Sequence, residues 1–247
     1  MKGIILAGGT GTRLNPLTKV TNKHLLPIGK IPMILHSVNK LVDAAVTDIM
    51  VITGTEHMGD MITLLGSGAD YGCEFTYRVQ DRPDGIAGAL SLCEDFCSTS
   101  DCVVILGDNI FEGSLKKAVQ SFTHDTASGT KPQCMLLLKE VEDPQRFGVA
   151  TVENNRITKI VEKPKNPETN LCVTGIYLYD KNVFSFVKSL KKSNRGEYEI
   201  TDVNNCYIQN GNARFEILDG WWTDAGTHQS YQNANALVHA KEKVNER

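Results

Sequence analysis

A glycine-rich run near the start of the chain, LAGGTGTR, could bind an anion. Residues 6 to 13 contain three glycines, two threonines and Arg13, and the run begins inside the apolar segment MKGIILA. Glycines let backbone N–H groups converge on an anion, threonine hydroxyls add donors, and a guanidinium adds a permanent charge. Neither the dinucleotide pattern GxGxxG nor the Walker A pattern is present. The run alone therefore leaves two interpretations open, a phosphate loop or a tight strand-to-helix connection.

Three further positions could complete a phosphate and metal site. Lys23 stands in NKHLLP, Asp108 ends the apolar run CVVILGD, and Asp224 lies in WWTDAGT, which we interpret as a loop before the C-terminal helix. Carboxylates at strand ends suit Mg²⁺, which prefers one or two of them together with substrate phosphates and water. The structural alternatives are a solvated lysine and a helix-capping or turn aspartate.

The alternation of apolar and amphipathic segments predicts a doubly wound α/β fold, with a mostly parallel, mixed sheet and helices on both faces. We expect one domain, residues 1–247, with a soft division into halves 1–128 and 129–247. Strands are predicted in residues 1–7, 47–53, 73–79, 102–108, 133–141, 148–153, 156–162, 171–179 and 213–219, and helices in residues 32–45, 57–66, 86–97, 198–210 and from 227 onward.

Composition restricts the class of partner. The 247 residues have a net charge of -3 with the two signs interspersed, which excludes a phosphate-backbone binder, so we expect no nucleic acid. No apolar run is long enough to span a bilayer, and we expect neither a signal peptide nor a membrane partner. Seven cysteines without a CxxC pair predict unpaired thiols in a reducing, cytoplasmic compartment.

Nine motifs together resemble those of the sugar-1-phosphate nucleotidylyltransferases, nearest to the short form of the thymidylyltransferases that use glucose 1-phosphate, without the C-terminal helical extension. They are LAGGTGTRLNPLT, NKHLLP, QDRPDGIAGAL, GDN, RFGV, EKP, VTGIY, RGEYEITD and WWTDAGT, in the family's order and approximate spacing. The resemblance implies the Rossmann-like fold of nucleotide-diphospho-sugar transferases. It also implies Mg²⁺-dependent transfer of a nucleotidyl group from dTTP to glucose 1-phosphate, by in-line displacement at the α-phosphate.

The resemblance also implies roles for particular residues in binding the nucleotide and the metal, most of them in the nucleotide half, 1–128. Arg13 and Lys23 would hold the phosphates, Gln80 and Gly85 would read the base, and Asp108 and Asp224 would bind Mg²⁺. The nucleotide-binding positions are Leu6, Gly8, Gly9, Thr10, Gly11, Thr12, Arg13, Lys23, Gln80 and Gly85.

On the sugar side, which is assigned mainly to the half 129–247, the resemblance implies that Glu162 accepts hydrogen bonds from sugar hydroxyls while Lys163 and Arg195 hold the phosphate. The sugar-phosphate positions are Asn109, Gly148, Glu162, Lys163, Val173, Tyr177 and Arg195, and the catalytic group is Arg13, Lys23, Asp108, Lys163 and Asp224. The product, dTDP-glucose, would enter dTDP-rhamnose and polysaccharide synthesis.

The sequence departs from the family at a few positions and leaves alternatives open. His24 stands where Gln is common, Ile86 where Leu is common, and Thr223 where an aliphatic or charged residue is commoner. Thymine and uracil differ by one methyl group, worth roughly 1–3 kcal/mol in an apolar pocket, so UTP, CTP or ATP with another sugar 1-phosphate is an alternative. A non-catalytic binding module is a second alternative. We expect a homo-oligomer, either a dimer or a tetramer.

Overall fold

A nine-stranded mixed sheet forms the centre of the computed structural model, which describes residues 1–123 and 131–245. The strands are β1 (Lys2–Ala7), β2 (Pro27–Ile28), β3 (Ile31–Pro32), β4 (Asp48–Gly54), β5 (Glu74–Gln80), β6 (Cys102–Leu106), β7 (Asn109–Phe111), β8 (Cys134–Glu140), β9 (Gly148–Glu153), β10 (Arg156–Glu162), β11 (Leu171–Tyr179), β12 (Ala213–Ile217) and β13 (Trp222–Asp224). The helices are α1 (Met33–Asp43), α2 (Met58–Leu65), α3 (Ile86–Ser91), α4 (Glu94–Cys97), α5 (Lys116–Thr123), α6 (Val183–Ser189), α7 (Ile200–Gln209) and α8 (His228–Asn245).

The first half of the sheet is parallel, as predicted. Strand β1 lies between β4 and β6 and runs parallel to both, and β5 continues the parallel set beside β4. Alternate residues of β1 face opposite sides, so that Ile4 and Leu6 enter one apolar cluster and Ile5 and Ala7 enter another. The carboxyl ends of these strands meet at one edge, which is where open parallel sheets bind ligands.

The second half of the sheet is mostly antiparallel, so that the sheet as a whole is mixed, as predicted. Strand β11 runs antiparallel to β6, β8 and β9, and β9 and β10 form the predicted hairpin, while β12 is parallel to β8. Short polar turns such as ENN permit antiparallel neighbours, whereas a parallel pair requires a long crossover.

Helices cover both faces of the sheet, as the doubly wound prediction requires. Buried side chains of α1, α2 and α5 pack on one face, and those of α3, α6 and α7 pack on the other. Helix α8 packs instead on the small β2–β3 hairpin, where Tyr231 Oη donates to the backbone carbonyl of Pro27. All seven cysteines are unpaired, which confirms the prediction of free thiols. Within residues 1–123 and 131–245, no helix is long and apolar enough to cross a membrane.

The structure also corrects several predicted elements. The helix predicted for 86–97 is divided, because Cys93 leaves the helical conformation between α3 and α4. The interpretation of WWTDAGT as a loop is wrong at its centre, since Trp222–Asp224 forms β13 and pairs with β7. Helices α5 and α6 were not predicted. The predicted division at residue 128 lies outside the described residues.

Candidate active site

A cavity of about 510 Å³ opens at the carboxyl edge of the sheet, between its parallel and antiparallel parts. It contains most of the residues predicted for substrates, whereas Thr10, Gly11 and Thr12 lie outside its wall. The predicted residues in the wall are Leu6, Gly8, Gly9, Arg13, Lys23, Gln80, Gly85, Asp108, Asn109, Gly148, Glu162, Lys163, Val173, Tyr177, Arg195 and Asp224. The tertiary structure therefore brings residues from both halves of the chain to one site.

The glycine loop follows β1 directly and turns sharply back toward the cavity. Gly11 has φ 67°, a left-handed conformation that glycine adopts without strain, and its carbonyl accepts a 2.8 Å hydrogen bond from Thr18 Oγ1. Gly8 passes close to β5, since an ideal Cβ on Gly8 would lie 2.8 Å from Gln80 Oε1. The backbone of Gly8 and Gly9 therefore lines the cavity without side-chain bulk.

Lys23 and Asp108 form a partly buried ion pair in the wall of the cavity. Lys23 Nζ lies 2.5 Å from Asp108 Oδ2, and Asn109 Nδ2 donates to Asp108 Oδ1 at 3.1 Å. Burial acts to raise the pKa of Asp108, but the Lys23 ammonium and these hydrogen bonds outweigh it and hold that pKa below its ordinary value. Asp108 is therefore ionised at neutral pH, as a metal ligand must be.

Asp224 reaches the same part of the cavity from the other end of the sequence. In the β7–β13 pair Asp224 lies opposite Asn109, and Ala225 N donates to the backbone carbonyl of Asp108 at 2.7 Å. An ideal Cβ on Gly226 would lie 3.0 Å from Arg13 Nη2, 3.3 Å from Asp224 Oδ2 and 3.5 Å from Asp108 Oδ2. Two carboxylates and one guanidinium therefore surround a single point.

Burial, followed by the charge of Asp108, raises the pKa of Asp224, while Arg146 and Arg13 act in the opposite direction. Arg146 Nη2 donates to Asp224 Oδ1 at 2.7 Å, and its Nη1 donates to Asp143 Oδ2 at 2.7 Å. Sequence reasoning missed Arg146, although the residue stands in the motif RFGV, of which only Gly148 was given a role. The sequence did offer one signal for this residue, since Arg146 is the charged residue of a motif shared with the family.

The two carboxylates fit Mg²⁺ by the chemistry of their donors. Among the described residues there is no group of three or more His, Cys, Asp or Glu side chains that could hold a metal unaided. Mg²⁺ does not need one, because it binds through one or two carboxylates and completes its shell with substrate phosphates and water. Asp224 Oδ2 lies near the position that a Cβ on Gly226 would take, while Asp224 Oδ1 accepts the hydrogen bond from Arg146.

The opposite side of the cavity carries the predicted sugar-phosphate residues. Glu162 Oε2 accepts a 2.6 Å hydrogen bond from Thr201 Oγ1, and its Oε1 lies 3.6 Å from Lys163 Nζ. Lys163 has φ 43°, an uncommon backbone conformation for a residue other than glycine. Its N–H donates to the carbonyl of Phe147 at 2.9 Å, which holds the residue in place.

Arg195 is held by a carboxylate that the motif search did not single out. Its Nε and Nη2 donate to the two oxygens of Glu199 at 3.0 and 2.6 Å, and Nη2 also lies 3.4 Å from both Glu162 and Glu197. The hydrogen bond to Glu199 raises the pKa of Arg195, and Arg195 in turn lowers that of Glu199 against the effect of burial. This fork fixes the guanidinium at the cavity wall.

Asn109 and Trp222 connect the two sides. Asn109 Oδ1 accepts from the Gly175 N–H and from Trp222 Nε1, both at 2.8 Å, and Trp222 packs edge-on against Phe147 with ring centroids 5.1 Å apart. Tyr177 also lines the cavity and is buried, and burial raises its pKa. Further wall residues that sequence reasoning gave no role are His24, Phe147, Glu197, Glu199, Thr201, Asn204 and Trp222.

His24 is a buried neutral ring beside the ion pair. Its Nδ1 lies 2.7 Å from Asn22 Oδ1, and an ideal Cβ on Gly107 would lie 2.8 Å from its Cδ2. Burial, aided by the Lys23 charge, lowers the pKa of His24 to about 3. The ring therefore fills the space between Lys23 and the end of β6 without adding charge.

Comparison with known proteins gives a consistent result. The family model described as nucleotidyl transferase matches residues 2–241. Glucose-1-phosphate thymidylyltransferase of Neisseria meningitidis serogroup A is 41% identical over 99% of this chain and 84% of its own length. The protein of the same name from Mycobacterium tuberculosis is 37% identical over 98% of this chain and 84% of its own length.

Solved structures agree with these relatives. A crystal structure from Bacillus anthracis, assigned as a glucose-1-phosphate thymidylyltransferase and containing a sucrose, is 58% identical, with a TM-score of 0.90 over 96% of this chain and 94% of that one. A UDP-glucose pyrophosphorylase complexed with UDP-glucose is 24% identical, with a TM-score of 0.82 over 97% of this chain and 98% of that one. At that identity the second likeness supports the fold alone.

Proposed function

Because this chain belongs to the nucleotidyl transferase family, we propose that its cavity transfers the thymidylyl group of dTTP to glucose 1-phosphate and releases pyrophosphate. Relatives about 40% identical over nearly the whole chain have the name of that activity. The observation that carries the proposal is the arrangement of charge. Arg13, Lys23 and the pair Asp108–Asp224 line one side of a cavity whose other side presents Lys163 and Arg195.

The nucleotide side of the cavity is suited to a triphosphate. Backbone N–H groups of the glycine loop and the guanidinium of Arg13 would hold the departing pyrophosphate, and Lys23 would contact the same phosphates. Asp108 and Asp224 would hold Mg²⁺, which supplies charge neutralisation to the polyphosphate when it is bound. Lys23 has a second effect, because its ammonium keeps Asp108 ionised.

The sugar side of the cavity is suited to an anionic nucleophile with a polyhydroxylated ring. Lys163 and Arg195 would bind the phosphate of glucose 1-phosphate and offset its repulsion from the triphosphate. Glu162, oriented by Thr201, would accept hydrogen bonds from the sugar hydroxyls. Glu199 would hold the Arg195 guanidinium in one orientation, because its two carboxylate oxygens accept hydrogen bonds from Nε and Nη2 of Arg195.

The reaction requires only these groups. A phosphate oxygen of glucose 1-phosphate attacks the α-phosphorus of dTTP, and the bond from that phosphorus to the pyrophosphate oxygen breaks on the opposite side. The protein aligns the two anions and neutralises charge on the phosphoryl oxygens. No side-chain nucleophile is needed, so we propose direct displacement rather than a covalent intermediate. We also propose one catalytic domain, residues 1–247, that functions in the cytoplasm as a homo-oligomer.

A matrix assay tests the function. Pyrophosphate release is measured for dTTP, UTP, CTP and ATP, each combined with several hexose 1-phosphates, with and without Mg²⁺. We expect the highest rate for dTTP with glucose 1-phosphate, and none when Mg²⁺ or either substrate is omitted. Nucleotide binding without pyrophosphate release from any combination would instead indicate a non-catalytic binding module. A best rate with UTP, CTP or ATP would reject the proposed base.

A further inference from the structure

An amide–carboxylate contact lies at the wall of the cavity, where Gln80 is one of the lining residues. Gln80, the last residue of β5, donates from Nε2 to Asp84 Oδ1 at 3.0 Å. A carboxylate at neutral pH only accepts hydrogen bonds, so the NH₂ group of Gln80 must be the one that faces Asp84. This contact therefore determines the orientation of the Gln80 amide. The same cavity wall includes the apolar residues Leu6, Pro83, Ile86, Ala89 and Leu106.

The other end of the Gln80 amide is its carbonyl oxygen. Oε1 lies at the Gly8 side, 2.8 Å from where a Cβ on that glycine would be, and both residues line the cavity. Within residues 1–123 and 131–245, no donor hydrogen-bonds to Oε1. An acceptor without a donor in the wall of a cavity is available to a ligand.

Asp84 is itself held on several sides. Its N–H donates to the Arg82 carbonyl at 2.9 Å, and its own carbonyl accepts from the Tyr198 N–H at 2.8 Å. Its carboxylate occupies space that only glycine leaves open, because an ideal Cβ on Gly88 would lie 2.3 Å from Oδ1. The carboxylate therefore has a defined position relative to Gln80.

We propose that Asp84 is a positioning residue that selects the base of the nucleotide by holding the Gln80 amide in one orientation. The inference rests on the proposed function, because it requires a nucleotide in this cavity. With Oε1 toward the cavity, Gln80 accepts a hydrogen bond from the ring N–H of thymine or uracil. Cytosine and adenine present an unprotonated ring nitrogen at the corresponding edge, so two acceptors would face each other.

Asp84→Asn tests this role with little change of shape. An asparagine can accept from or donate to Gln80, so the Gln80 amide can adopt both orientations and present Nε2 to the cavity. Calorimetry would measure the Kd values of dTTP and dCTP without a sugar. We expect the preference for dTTP over dCTP to fall about tenfold, which corresponds to one lost hydrogen bond. UTP should show the same change in Kd as dTTP, because uracil and thymine carry the same ring N–H.

Two controls separate positioning from a general structural effect. Asp81→Asn changes an exposed carboxylate in the same segment and should leave the preference unchanged. In a Gln80→Ala background, Asp84→Asn should cause no further change of the preference, because the group on which it acts is absent. A thermal melt would show that each variant is folded.

The outcomes distinguish this inference from the proposed function. An unchanged dTTP-to-dCTP preference in a folded Asp84→Asn protein would overturn the role of Asp84, while turnover of dTTP and glucose 1-phosphate by the wild type would still support the function. Selective dTTP binding that is lost in the variant, without turnover by the wild type, would support the role of Asp84 and reject the activity. Failure of the wild type to bind any nucleotide would overturn both.

Discussion

The backbone N–H of Tyr198 donates to the backbone carbonyl of Asp84 at 2.8 Å, and this bond joins segments from the two halves of the chain. The Asp84 segment includes Gln80 and Gly85, which we assign to the base, while the Tyr198 segment includes Arg195, which we assign to the sugar phosphate. A second bond, from Ala87 N to the Tyr198 carbonyl at 3.2 Å, closes the contact. Backbone hydrogen bonds between residues 84–87 and Tyr198 therefore link the two proposed subsites.

Replacement of Gly85 should disrupt the backbone contact between this segment and Tyr198. Gly85 has φ 102°, and an ideal Cβ there would lie 2.5 Å from the Tyr198 carbonyl oxygen. We expect Gly85→Ala to lower the free energy of unfolding by about 1–3 kcal/mol and to raise KM for both substrates. Urea unfolding and steady-state kinetics would measure this.

Gly59→Ala is the matched control for that prediction. Gly59 lies in α2, and no heavy atom lies within 4 Å of the position its Cβ would take. Alanine should therefore raise the free energy of unfolding by about 0.5–1 kcal/mol. If both variants shifted stability in the same direction, the close approach of Gly85 and Tyr198 would not be the cause.

Asp108→Asn should remove most turnover without unfolding the protein. Asparagine keeps the shape but removes the negative charge that pairs with Lys23 and that we assign to Mg²⁺. We expect kcat to fall about 100-fold or more, measured by pyrophosphate release. Asp95→Asn, at an exposed carboxylate in α4, should keep the wild-type rate. Near-normal activity of the Asp108 variant would show that the metal ligand is misassigned.

Arg146→Lys should weaken Mg²⁺ binding through Asp224. The guanidinium contacts Asp143 and Asp224 together, and a lysine ammonium cannot reproduce that fork. Loss of an orienting partner of a metal ligand typically weakens metal affinity roughly 10–100-fold. Calorimetry with Mg²⁺ and the enzyme–nucleotide complex would measure it, with Arg156→Lys, at an exposed position at the start of β10, as the control. Equal Mg²⁺ affinities for the wild type and the Arg146 variant would contradict this role.

His24 should make stability depend on pH. Its pKa is about 3 in the folded protein and about 6.5 when unfolded, so between these values only the unfolded chain takes up the proton. Stability is therefore lost as pH falls. Between pH 7 and pH 5 the wild type should lose about 2 kcal/mol more than His24→Gln, measured by urea unfolding at both pH values.

His239→Gln provides the comparison for the pH effect. His239 is exposed on α8, so its replacement opens no buried space and should leave the free energy of unfolding at pH 7 almost unchanged. A His24→Gln protein that lost stability between pH 7 and pH 5 as steeply as the wild type would show that His24 becomes charged in the folded state.

Local patterns were sufficient for the framework of the site. The apolar run of β1 followed by GGTGTR predicts a strand and an anion-binding turn, since glycine content and backbone freedom are properties of neighbouring residues. The motifs also predicted much of the cavity wall, because several motif residues, among them Leu6, Gln80 and Asp224, lie at or near the ends of strands that reach the cavity. The helix period in residues 32–45 predicted α1 for a similar local reason.

Only the tertiary structure decided which of these residues meet. The contacts of Asp224 with Arg146, of Lys23 with Asp108 and of Glu199 with Arg195 depend on side-chain directions, and the first two join distant parts of the chain. Strand β13 forms because β7 offers an antiparallel partner, which no property of WWTDAGT alone reveals. The sequence by itself thus determined the local elements and the chemical groups, whereas their partners, burial and pKa values follow from packing between segments far apart in the chain.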